Sequence, residues 1–132
     1  MKLQEVYKDT KIDYPLYIIL IQSGTFYVTY NDDAHILGYL LEYQVNENKV
    51  GFPKCSLEKV VSVLNESHIS YIILNDRLEK EFPDNQYQDL LYKAKRKYYN
   101  ELNAKLLIDE INFLLKSNPE NISKIRDFIS GL

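Results

Sequence analysis

Along the chain, apolar residues first recur in the unbroken or alternating runs of strands and then, beyond Pro83, at the three-to-four-residue spacing of helices. Leu16-Tyr-Ile-Ile-Leu-Ile21 follows Pro15 as an unbroken apolar run, which predicts a central strand buried on both faces. Ser23-Gly24 marks a tight turn. Thr25-Phe-Tyr-Val-Thr-Tyr30 then alternates, so that Phe26, Val28 and Tyr30 share one face and the two runs pair as a hairpin. Asn31 or Asp32 is placed to cap a short helix with Ala34, Leu37 and Leu41 on one side. Gly38 either weakens that helix or lets another element approach it closely. Leu41 to Val45 and Lys49 to Phe52 flank Asn46-Glu47-Asn48, which has the composition of a hairpin loop, and Pro53 stops the second strand. Ser56 is an N-cap for a helix with Leu57, Val60, Val61 and Leu64 on its buried stripe, and Ile69 to Leu74 reads as another doubly buried strand.

Past Pro83 the pattern is helical. Asp84 is placed to cap a long stretch with Tyr87, Leu90, Leu91, Ala94, Tyr98 and Leu102 on one stripe, continuing through Ile111, Leu114 and Leu115, with room for a bend at Asn100 and Asn103. A last helix opens at Asn118-Pro119, turns Ile122, Ile125 and Ile129 inward and meets Gly131. The order of elements predicts an α+β fold, a mixed β-sheet with flanking helices followed by a long helical C-terminal segment. The expected organisation is an α/β part over residues 1–83 and a helical extension over 84–132, packed on it or used for association, within one domain overall.

Composition narrows the function classes. The chain has 132 residues and a formal net charge of −3, so no global attraction draws it to phosphate backbones or anionic membranes. Cys55 is the only cysteine, which excludes an internal disulfide and a cysteine-rich zinc site and points to a reducing, cytoplasmic setting. The longest apolar run is far shorter than the ~20 residues a membrane span requires, so no membrane association is expected. Twelve tyrosines accompany an absence of tryptophan, a bias that a codon preference produces as readily as a function does.

Candidate chemistry is sparse. Neither the Walker phosphate loop nor the Rossmann glycine fingerprint is present, and four glycines leave little material for one. His35 and His68 lie on different elements without metal-ligand spacing, and Asp32-Asp33 at a helix start reads as cap and dipole partners rather than a metal site. Cys55 has no histidine close to it in sequence to act as its base. A non-catalytic protein with neither cofactor nor metal is therefore expected. The distinctive charge feature is Lys93-Ala-Lys-Arg-Lys97, with Tyr92, Tyr98 and Tyr99 interleaved, so that residues 87–132 carry +2 while residues 1–50 carry −3. Lys93, Lys95, Arg96 and Lys97 suit phosphate contacts, and they equally suit a solvated helix face with i, i+4 ion pairs.

Gly24-Thr-Phe26-Tyr27, preceded by Tyr14-Pro15 and followed by Tyr30 and Asp33-Ala34, resembles the N-terminal mismatch-recognition domain of the DNA mismatch-repair protein MutS. That domain carries a Tyr-Pro, an apolar strand, a Phe-Arg-x-Gly-Asp-Phe-Tyr-Glu motif and then Asp-Ala in a helix. Val50-Gly-Phe-Pro53 with Ser56-Leu57 looks like the family's Gly-Val-Pro-Tyr-His segment and the helix after it, and the likeness covers residues 12–76. The resemblance implies that Phe26 is the aromatic that wedges into the minor groove beside a mispaired base, exchanging unstacking for a kinked duplex. It also implies double-stranded DNA as partner, with Phe26, Tyr27, Lys93, Lys95, Arg96 and Lys97 as candidate DNA-binding residues. The sequence departs from the motif at Gln22 for arginine, Thr25 for aspartate and Val28 for glutamate, and a valine cannot hydrogen-bond a base. The expectation is thus a DNA-binding module without true mismatch specificity. Its alternative is a protein-interaction or homodimerisation module on a MutS-like scaffold, in which the long tyrosine-rich helix pairs with another protein or a second copy through an apolar stripe along residues 87–115; the plain reading of Phe26 is a buried face shared with Val28 and Tyr30.

Overall fold

The computed structural model describes residues 2–132. Its elements run α1 (Leu3–Asp13), β1 (Ile18–Ser23), β2 (Phe26–Tyr30), α2 (Asn31–Leu41), β3 (Lys49–Pro53), a 3-10 turn (Lys54–Ser56), α3 (Leu57–Glu66), β4 (Tyr71–Ile73), β5 (Leu78–Lys80), α4 (Tyr87–Ser117) and α5 (Asn121–Ser130). The five strands form one mixed sheet in the order β3-β2-β1-β4-β5. β1 pairs parallel with β4, and every other pairing is antiparallel. The α+β class with its mixed sheet and long C-terminal helix is as the sequence predicts. Two compact units divide the chain, one reaching to Lys97 and the other Tyr98–Leu132, with α4 beginning in the first and ending in the second.

β1 lies at the centre because both of its faces are apolar. Ile18 and Leu20 join Tyr27, Phe52, Tyr71 and Ile73 on one face of the sheet, which α2 and α3 cover with Ile36, Leu37, Val60 and Leu64. Ile19 and Ile21 join Val28, Tyr30 and Ile72 on the other, where Tyr7 of α1 meets the Tyr30 ring edge-on at 5.5 Å. Thus Val28 and Tyr30 do share a buried face, but Phe26, at the start of the strand, is exposed.

Two elements escape the sequence pattern. α1 is a mostly polar helix recognisable only by the side that Tyr7 buries, and β5 is a short, fully exposed edge strand. Conversely, Leu41 to Val45 is not a strand. α2 keeps Leu41, Glu42 ends it in the left-handed region, and only the Asn46–Lys49 bridge remains of the expected hairpin. The caps also differ. Asn31 and Asp32 make no side-chain cap bond to α2, and Ser56 makes none to α3. Asp84 pairs with His68, whereas Asn85 Oδ1 accepts the Tyr87 amide at the start of α4 and the Ser70 amide as well. α4 continues as a single helix through Asn100 and Asn103, and α5 begins at Asn121 after a turn at Asn118.

A buried polar centre ties these layers together. The Asp33 side chain is fully buried, and it accepts hydrogen bonds from Lys11 Nζ of α1 at 3.0 Å, from the Ile19 amide of β1 at 3.0 Å and from the Tyr87 hydroxyl of α4. Lys11 Nζ also donates to the carbonyls of Pro15 and Tyr17, so its ammonium is solvated by protein. Burial pushes the Asp33 carboxyl above the ordinary carboxylate range, with Lys11, Tyr87 and the Ile19 amide pulling it back. Burial beside Asp33 likewise raises the Tyr7 and Tyr87 phenols, which therefore stay protonated donors.

Two consequences are measurable. A Cβ at Gly38 would lie 2.8 Å from Val45 Cγ2 and 3.0 Å from the Tyr43 carbonyl oxygen, so the glycine is there for close approach. Gly38→Ala is expected to lower stability by about 1–3 kcal/mol through overpacking, despite a helix-propensity gain of about 1 kcal/mol, as read by urea denaturation. Asp33→Asn leaves the Lys11 charge, whose side chain is 17% exposed, without its counter-ion, and should cost on the order of 3 kcal/mol. Urea denaturation at neutral pH reads this deficit.

Candidate nucleic-acid interface

The hairpin end of the sheet is built by three loops that meet. β1 ends at Ser23, which pairs with Phe26, so the β1–β2 turn contains only Gly24 and Thr25. Gly24 has a φ of +62°, the left-handed geometry that a two-residue hairpin needs at its first position and that a larger residue adopts under strain. The Lys54 amide after β3 donates to the Thr25 carbonyl at 2.9 Å. The loop after β4 reaches the same place, where Asn75 Oδ1 accepts the Gln22 amide at 3.3 Å.

On this support Phe26 opposes Pro53 across the strands and is 48% exposed, a large apolar ring facing water at the start of β2, next to the two-residue turn. Tyr27 points the other way. Only 1% exposed, it stacks on Phe52 at 5.8 Å between centroids, and its hydroxyl donates to Asp76 Oδ2 at 3.0 Å. Burial and that bond raise the Tyr27 phenol. Of the candidate pair, Phe26 is thus presented and Tyr27 anchors it from beneath.

Val28 stands where the resembling motif has glutamate. It is buried opposite Ile21 and Gly51, on the face that α1 covers. This position offers a ligand no polar atom, and α1 removes it from solvent altogether. Gln22, in the place of arginine, spends its side-chain amide on the Gly24 carbonyl at 3.2 Å.

The basic segment of α4 lies elsewhere. Lys93 pairs with Asp89 at 3.1 Å one turn back, Lys95 reaches Asp32 of α2 at 3.4 Å, and Lys97 lies over the Tyr39 ring at 6.0 Å; Arg96 is exposed. Asp32 lies just beyond Tyr30, the end of β2 opposite Phe26, so Lys95 and Phe26 sit at opposite ends of that strand. Both i, i+4 and surface pairings of this kind are weak and exchangeable. Asp32 and Asp33 are thus occupied by Lys95 and Lys11 respectively, rather than converging on one metal position.

Sequence reasoning passed over two cations at the hairpin end, Lys54 and Arg77. Both are exposed, in loops that the pairing of β1 with β4 and of β2 with β3 brings to the same end as Phe26. Only the register could have revealed them, since neither lies in a charged run. His35 and His68 are engaged with Asn48 and Asp84, respectively, on separate elements. A cavity of about 320 Å³ beside the Asp33 centre is lined by Tyr7, Lys8, Lys11, Ile12, Asp32 and Tyr87, but its lysine nearest the carboxylate is already saturated by protein acceptors. No helix is long and apolar enough to cross a membrane among the described residues.

Comparison with curated proteins finds no match for the chain. A model of the MutS domain I family matches residues 1–76, a span that contains α1 through β4, the hairpin with Phe26 and the Asp33-Ala34 pair. With more than half of its length matched, this chain belongs to the MutS domain I family, a family of non-catalytic recognition domains.

Proposed function

We propose that the chain is a non-catalytic DNA-binding module in which Phe26 engages the groove of a duplex without reading a mispaired base through polar contacts. The observation that carries this reading is the presentation of Phe26, half-exposed beside a two-residue turn and followed by the buried, hydrogen-bonded Tyr27. An aromatic held rigidly enough to enter a base step loses little entropy on binding, which is what a wedge requires. Exposed Lys54 and Arg77 lie at the same end of the sheet as Phe26, where Asp76 is engaged by Tyr27. Lys93, Lys95, Arg96 and Lys97 supply a second set of phosphate contacts. A duplex meeting both sets would run past β2, whose four residue steps from Phe26 to Tyr30 span about 13 Å.

The burial of Val28 supports shape reading alone. With no glutamate to hydrogen-bond a base, discrimination between paired and mispaired steps would rest on how easily the step unstacks. The alternative, a protein-association module on the same scaffold, draws on another part of the chain, the apolar side chains of Tyr98–Leu132.

Fluorescence anisotropy with matched, mismatched and single-stranded oligonucleotides tests the proposal. Matched and mismatched duplexes are expected to bind within a few-fold of one another, and Phe26→Ala to weaken both by about tenfold, since one aromatic–base stack is worth about 1–3 kcal/mol. Absence of binding to every oligonucleotide at low salt would end the reading. In a separate salt titration, each alanine replacement of Lys95 or Arg96 should reduce the slope of log K against log salt by about 1. An unchanged slope would take the α4 segment out of the interface.

A further inference from the structure

The unit Tyr98–Leu132 contains no buried residue. Its half-covered positions are Ile111 and Leu115 on α4 and Asn121 and Ile125 on α5, each pair one helical turn apart on either side of the Asn118 turn. α4 carries a second apolar stripe. Tyr99, Leu102, Leu106 and Phe113 follow spacings of three, four and seven residues, which places them within about 60° of one another on the helix, and all four are exposed. Phe128 and Ile129 of α5 are exposed as well. A helix with two apolar stripes has more surface to hide than one neighbour can cover.

We propose that this unit pairs with the same unit of a second copy of the chain, with the Tyr99–Leu102–Leu106–Phe113 stripe at the centre of the contact. The spacing is that of alternate a and d positions in paired helices, which suits a partner presenting the same stripe. Charge supports a like partner. Residues 98–132 contain five acidic and four basic side chains, a balance that repels neither itself nor its image. The stripe is flanked by Lys105 on one side and Glu110 on the other, five residues apart, the offset at which flanking charges of two parallel helices meet. Asp109 interrupts the stripe within i, i+4 reach of Lys105 on its own helix. A basic face for nucleic acid or anionic lipid is absent from this balance. A fully buried aromatic side chain contributes about 150–250 Å², so the partly exposed Tyr99, Leu102, Leu106 and Phe113 offer an apolar centre on the order of 400 Å², which the side chains around it would have to extend toward the about 800 Å² per partner of a stable interface.

Sedimentation equilibrium of the full chain over the micromolar range is expected to show a monomer–dimer equilibrium. The double variant Leu106→Glu with Phe113→Glu should weaken it at least tenfold while the far-ultraviolet dichroism stays helical, whereas Ile12→Ser, at an exposed apolar position of α1, should leave it unchanged. Amide exchange of the unaltered chain provides a measurement that does not depend on a variant folding. Raising the concentration should add protection within residues 98–132 and nowhere else. A strict monomer at every concentration, an open-ended assembly, a dimer indifferent to the double variant, or protection gained elsewhere would each overturn the proposal. Binding of a monomeric chain to neutral phosphatidylcholine vesicles would do the same, by assigning the stripe to lipid.

Discussion

One buried ion pair determines how this fold is closed. Asp33 leaves water completely, and an isolated carboxylate could not do so without a large desolvation cost, so the surroundings must answer it from several directions at once. They do: an ammonium from α1, a backbone amide from β1 and a phenol from α4 converge on its two oxygens. Each donor is supplied by a different element, and therefore the carboxylate fixes the positions of three elements relative to α2. Two of those elements would otherwise be loosely specified, since α1 is mostly polar and α4 lies beyond the family-matched region. The family's Asp-Ala pair thus has a physical reason in this chain, with the aspartate as the hub and Ala34, fully buried beside it, small enough for α2 to settle on the sheet.

That closure sits at one end of the sheet and leaves the other end to present a surface. Around the hairpin, beside the Tyr27–Asp76 bond, the polar contacts are backbone to backbone or side chain to backbone: Lys54 to Thr25, Gln22 to Asn75, Gln22 to Gly24. They stiffen the loops without covering them. Phe26 is left in water by this arrangement, although the same alternation that buries Val28 and Tyr30 would assign it to the core. The strand simply starts before α1 reaches over it.

Much of the fold was legible because burial leaves a period in the sequence. The run Ile18–Ile21 announced a doubly covered strand, Val60 and Leu64 announced a helix face, and the apolar spacing after Pro83 announced α4. What escaped did so for identifiable reasons. α1 buries one tyrosine and pairs one lysine, too little to stand out from polar neighbours, and β5 has no buried side at all. Leu41 to Val45 carried strand-like composition, but Gly38 lets Tyr43 and Val45 lie against α2, and packing there replaces pairing. Two expected caps have tertiary partners instead: Asp32 pairs with Lys95 and Asp84 with His68. The site was half legible. The Gly24–Phe26 signature named the hairpin, whereas Lys54 and Arg77 became neighbours of it only through strand register.

The replacement of glutamate by valine at position 28 fits this architecture better than it fits a damaged copy of the family motif. On this sheet the position faces α1, and a carboxylate there would need its own set of buried donors like those around Asp33. Tyr7 packs in the same cluster as Val28, and its phenol is already raised by burial and, next, by Asp33. A second buried charge on the same face would compete for that donor and repel the first, at a cost that apolar Val28 avoids. Position 28, beneath α1, therefore offers no polar reader in this chain, and recognition at its hairpin end would rest on the ring of Phe26 and the exposed groups beside it.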